Sequence, residues 1–104
     1  AALRRSAEAL QLRTAEHPQD ALAWSALATV ARAAGLPLRA QRADAEARAA
    51  LGDLPGAVER LRAAQRLAAV PGAGDWIEQQ AIDARLRALQ AELDALRAQA
   101  RGRP

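Results

Sequence analysis

The 104-residue chain has no cysteine, methionine, phenylalanine or tyrosine, and only two tryptophans. Lysine is missing too, so every strong cation is an arginine. Without cysteine there is no disulfide framework, no thiolate zinc site and no cysteine nucleophile. The compartment stays open, because a cysteine-free chain is stable in either redox environment. Three Val, two Ile and two Thr are all the β-branched residues present. Strands draw on β-branched and aromatic side chains, so a sheet is excluded and the expected class is all-α. Long apolar runs are also lacking. Charge-free stretches such as Ala21 to Ala31 are too short to cross a bilayer. No secretory leader is visible, and the chain opens at Ala1 already in helical sequence, which reads as a segment of a longer protein.

What remains is dominated by Ala, Leu and Arg. The net charge is only +3, and the pI of 11.2 reflects arginine's retention of its proton as much as the excess itself. The arginines are interleaved with acids. Arg4 with Glu8, Arg42 with Glu46, Asp44 with Arg48 and Asp83 with Arg87 all stand i,i+4, the spacing that supports a solvated helix face. No aromatic residues are interleaved with arginine to stack on bases, so nucleic acid is not an expected partner.

Apolar spacing gives five helices. The first runs from about Ala2 to Glu16, with Leu3, Ala7, Leu10 and Thr14 on one stripe, and stops at His17-Pro18. Asp20 caps the second, Ala21 to Ala34, where Trp24, Leu27, Ala28 and Ala31 share a face and Trp24 is the core anchor. Gly35 closes it, and Pro37 sits in the first turn of the third, which ends before Gly52. Asp53 caps the fourth, with Ala57, Val58, Leu61 and Ala64 on one side, reaching Ala69 or Val70. Pro71 to Gly74 is the breaker cluster. Asp75 opens the last helix, with Glu78 placed for a capping box. Its stripe Ile82, Leu86, Leu89, Leu93, Leu96 alternates steps of four and three, a narrow seam. Residues 101–104 should fray.

Gly52-Asp53 between two such helices, with Ala57 five residues beyond the glycine, is the inner signature of a tetratricopeptide (TPR) hairpin. The turns at Gly35 and Gly52 lie 17 residues apart, half the ~34-residue TPR period. The third helix must therefore end one repeat and begin the next. The expected architecture is one domain over residues 1–100, an irregular TPR-like helical repeat array of about five helices with a long C-terminal helix and a local change of superhelical path.

Catalytic constellations are poorly represented. His17 is the lone histidine and precedes a proline at a helix end, where it suits a solvated cap better than a ligand. Ser6 and Ser25 have no base within their own helices. The Pro71 to Gly74 loop lacks the Lys and Ser or Thr of a phosphate cradle. The chain is expected to be non-catalytic, with no catalytic residue, metal ligand or cofactor of its own. Binding is the better prospect, since first helices of TPR repeats wall a groove. In the register of Trp24 that wall includes Leu22, Ser25, Thr29 and Arg32; in the register of Gly52 it includes Arg39, Arg42, Glu46 and Ala49. An arginine-bearing groove suits a peptide with carboxylates. The same positions serve equally well as ordinary solvated ones. Trp76 has two readings, a cover for the hairpin end or an exposed contact.

Five segments fall in a recognisable order: HPQDALAWSALA, RAQRADAEARAALGD, LPGAVERLRAAQ, a Pro/Gly break, and QQAIDARLRALQAEL. From about His17 to Arg97 this resembles the C-terminal TPR region of bacterial periplasmic zinc metalloproteases of the β-barrel assembly-enhancing protease type. Ile82-Asp83-Ala84-Arg85-Leu86 followed by Leu89, and Ala45-Glu46 ahead of Gly52-Asp53, carry the likeness. Where that family often has Tyr before the Gly-Asp turn, this chain has Arg48, Ala49 and Ala50. The resemblance implies a periplasmic recognition arm that contacts its own peptidase domain and outer-membrane assembly partners or substrates. Zinc would belong to the peptidase domain, because no HExxH occurs here. A stand-alone TPR adaptor for a peptide segment is the second reading, and a basic nucleic-acid binder the third. Uncovered ends imply either a homodimer or self-capping by the last helix.

Overall fold

The structure is a computed structural model that describes residues 1–72 and 74–102. Five helices and no strands occur among the described residues: α1 (Ala2–Glu16), α2 (Ala21–Ala33), α3 (Pro37–Ala50), α4 (Leu54–Ala68) and α5 (Trp76–Arg101). The all-α class and the long C-terminal helix are as the sequence implied, consistent with a TPR-like array. Helix α5 runs through Arg101, and Arg103 and Pro104 of the expected tail lie outside the described residues.

Local chemistry sets the boundaries. Asp20, Asp53 and Asp75 each accept the backbone N–H three residues on, from Ala23, Gly56 and Glu78 at 2.9–3.0 Å. These side chains satisfy amides that a helix start leaves without partners. The α2 and α3 termini share one turn. Gly35 (φ +76°) and Gly52 (φ +85°) take the left-handed conformation open to glycine. Beyond each glycine the chain closes the same pair of bonds: Leu36 N–H to Ala31 O (2.9 Å) and Asp53 N–H to Arg48 O (2.8 Å) on the outside, Gly35 N–H to Arg32 O and Gly52 N–H to Ala49 O within. This is the Schellman closure, used twice.

Every helix packs on its chain neighbours, and α3 also touches α5. Because α3 is flanked on several sides, its buried residues do not form a single stripe. Ala43 and Ala47 join Ala7, Trp24, Leu27 and Ala28 in one core cluster; Leu38 and Ala45 join the other, built from α4 and α5 around Leu61, Ile82 and Leu89. Alanine on α3 lets helices approach from both directions. The half-period glycine spacing is thereby explained: α3 belongs to both hairpins. Short turns make successive helices antiparallel, and the order of the α3–α5 ion pairs below shows these two running the same way. The Cα atoms fill a slab of 56 × 31 × 16 Å.

The seam on α5 is buried at Ile82, Leu86, Leu89 and Leu93, whereas Leu96 is half exposed. On α1, Ala7 and Thr14 are buried and Leu3 is exposed. The capping box forms only by half. Asp75 does its part, but the Glu78 carboxylate turns inward to Arg42.

Candidate functional site

The expected groove residues divide into two sets. Ser25, Thr29 and Arg32 lie exposed on α2. Thr29 Oγ1 donates to Ser25 O at 3.2 Å, and Arg32 Nη2 reaches across to Asp44 Oδ2 on α3 at 2.7 Å. Leu22 is exposed beside them. The α3 set is enclosed. Arg39 is half-buried with its Nε unpartnered, Glu46 is buried, and the Arg42 side chain keeps only 15% of its surface.

Arg42 and Glu46 do not pair with each other. Arg42 Nε donates to Glu78, and Arg85 Nε donates to both oxygens of Glu46 at 2.9 and 2.8 Å. Arg42 also lies over the Trp24 ring, 5.9 Å from its centroid, an added cation–π attraction. Trp24 itself is buried, with Nε1 donating to Pro18 O at 2.9 Å. Of the four i,i+4 pairs read from spacing, none is among the ion pairs of the described residues. The observed pairs cross between helices or span turns, because a tertiary neighbour offers better geometry than an exposed neighbour on the same helix.

Two cavities flank this row of α3. One, of about 270 Å³, is lined by Gln11, Thr14, Ala15, Pro18, Trp24 and Arg42. The other, of about 150 Å³, includes Pro18, Gln19, Glu46, Ala49, Arg85 and Glu92. They share Pro18, and Arg42 and Glu46 stand one helical turn apart, so together they trace a path across α3 between α1 and α5. Gln11 Oε1 is buried there without a hydrogen-bond partner. Both arginines on the path are neutralised by glutamates, and Glu92 has no ion-pair partner among the described residues. The carboxylate-seeking groove expected from Arg39 and Arg42 therefore has less free positive charge than spacing implied.

Sequence reasoning missed Gln11, Thr14, Pro18 and Glu92, which come from elements distant in the chain and carry no local mark. Arg85 had one, as part of the Ile82–Leu86 segment. Trp76 is exposed. His17 lies just past the end of α1, its N–H donating to Arg13 O at 2.9 Å. Nearby, Asp20 is held below its ordinary carboxylate range, first by the Ala23 amide and then by Arg13, whose Nη2 lies 3.0 Å away. No group of three or more His, Asp or Glu placed to hold a metal occurs among the described residues. Nor is any helix of the described residues long and apolar enough to cross a membrane. No family model, curated protein or solved structure matches this chain.

Proposed function

We propose that this chain is a non-catalytic protein-interaction module that takes a peptide segment across α3, between α1 and α5. The supporting observation is the path shared by the two cavities at Pro18, walled by three helices and floored by a fixed ion-pair row. Gln11 Oε1 offers an unmet acceptor for a peptide donor. Peptides selected from a display library against the full chain test the reading. Amide shifts on binding should cluster at Gln11, Thr14, Gln19, Ala49 and Glu92; shifts confined to the α2 row of Ser25, Thr29 and Arg32 would overturn this placement of the groove.

The resemblance extends the proposal to a recognition arm of a periplasmic zinc protease, directed at substrates or outer-membrane assembly partners. Coding sequence upstream of Ala1 decides that extension. An in-frame HExxH helix supports it; a stop codon or short leader favours the stand-alone adaptor.

A further inference from the structure

Helix α5 has a second heptad seam that its own fold leaves open. Opposite the buried leucine stripe, Ala81, Ala84, Ala88, Ala91, Ala95 and Ala98 alternate steps of three and four, and Ile77 extends the series toward the N-terminus. All but the half-buried Ala81 are exposed, and Ile77 and Trp76 keep 76% and 69% of their surface. An alanine seam alone specifies nothing. Its flanks do.

On one flank stand Arg87 and Asp94, on the other Arg85 and Glu92. Arg87, Glu92 and Asp94 have no ion-pair partner among the described residues, and Glu46 engages only the Nε of Arg85, leaving its terminal nitrogens free. If a second α5 is laid antiparallel with Ala88 opposite Ala91, then Ala84 meets Ala95, Ala81 meets Ala98, and Ile77 meets Gly102. In that one register Arg87 faces Asp94 of the second copy, and Arg85 faces Glu92 of the second copy. Two-fold symmetry repeats both, giving four complementary pairs and no like-charge contact at flanking positions. A parallel pairing in register matches only Arg87 with Glu92, leaving Arg85 beside Gln80 and Asp94 beside Gln99. The small side chains let the axes approach to about 8 Å, and the 26-residue helix offers a contact about 39 Å long. We infer that the outer face of α5 is a docking surface for the α5 of a second copy of this chain, antiparallel and in this register.

The test uses the full chain. Its weight-average mass, measured by sedimentation from about 1 μM to about 1 mM, should rise from one chain toward two. Arg87→Glu sets like charges against Asp94 and should weaken self-association at least about tenfold. Adding Asp94→Arg should restore it, while the circular dichroism of both variants stays that of the parent. An equimolar mixture of Ala84→Cys and Ala95→Cys chains should oxidise to a mixed disulfide, with Ala84→Cys alone giving none. A monomer at every concentration overturns the inference, as does a dimer indifferent to Arg87→Glu. So does cross-linking of Ala84→Cys to itself, which marks a parallel pair, or the absence of the mixed product.

Discussion

Replacing Arg42 and Glu78 by leucine, singly and together, probes how α5 is held to α3. Both side chains are largely withdrawn from water, with 15% and 5% of their surface exposed. Removing one partner of a buried pair strands the other and costs about 3–5 kcal/mol. The sliver of Arg42 that reaches solvent, and its place over Trp24, moderate the cost when Glu78 is removed, so about 2–3 kcal/mol is expected for Glu78→Leu. Arg42→Leu strands the more deeply buried carboxylate and should cost about 3 kcal/mol or more. Domains of ordinary stability have about 5–15 kcal/mol in total, so either loss is readily measured by urea unfolding. The double variant leaves no stranded charge and should fall within about 1 kcal/mol of the parent. The cycle thus predicts a coupling of several kcal/mol. If the single costs simply add in the double variant, or if Glu78→Leu costs less than about 0.5 kcal/mol, the pair is not the buried clamp described above.

Gly35→Ala and Gly52→Ala should each destabilise by about 1–2 kcal/mol in urea unfolding, through the left-handed backbone alone, since open space surrounds both positions. Leu61→Ala, at a fully buried site, should cost about 2.7–5 kcal/mol, while Leu96→Ala at the half-exposed end of the seam should cost well under half of that. Asp20 ionises below its ordinary 3.8 in the folded chain, so its stabilisation is present above that pH and lost as pH falls through the folded value. In an acid titration of unfolding stability the parent should therefore lose this component below about pH 3.8, whereas Asp20→Asn, with no carboxyl to protonate there, should not, so that the gap between the two narrows as the pH falls.

Helix limits were legible because they are decided within a few residues. Asp20, Asp53 and Asp75 each cap the helix that follows them, and Gly35 and Gly52 close theirs, because an amide three residues ahead or a carbonyl behind is all that these residues need. The core face of α2 was equally plain, since Trp24, Leu27, Ala28 and Ala31 are all buried on one stripe, the first three in a single cluster with Ala7 of α1 and Ala43 and Ala47 of α3. Helix α3 was harder. It is buried on several sides, so no single face stands out, and Arg42 and Glu46 pass for an ordinary surface pair. Their real partners are 36 and 39 residues away on a helix whose placement depends on the leucine seam. The same distance hid the α1 and α5 walls of the proposed groove. The half-period glycines did carry a tertiary message, namely that one helix is shared by two hairpins.

That shared helix also explains why charges are buried there at all. The α5 seam is nearly uniform, with Ile82, Leu86, Leu89 and Leu93 in heptad spacing, and apolar packing alone resists a one-heptad slip only weakly. Glu78 and Arg85 are themselves one heptad apart and opposite in sign. Sliding α5 by seven residues in one direction brings Arg85 to Arg42; sliding it in the other brings Glu78 to Glu46. The first slip also carries Glu92, one heptad beyond Arg85, to Glu46, a second repulsion, whereas the other leaves Arg42 without a partner. A slip of one turn fares no better, because in one direction it sets Arg42, and in the other Glu46, near Ala81 or Ile82 and leaves that charge unmatched. Buried ion pairs are weak contributors to net stability, but here they discriminate between registers that the leucines leave close in energy. With α5 fixed at this register, parallel to α3, Arg85 and Glu92 face the same cavity as Glu46, so one pair of contacts sets both the fold's last packing decision and the shape of the groove wall.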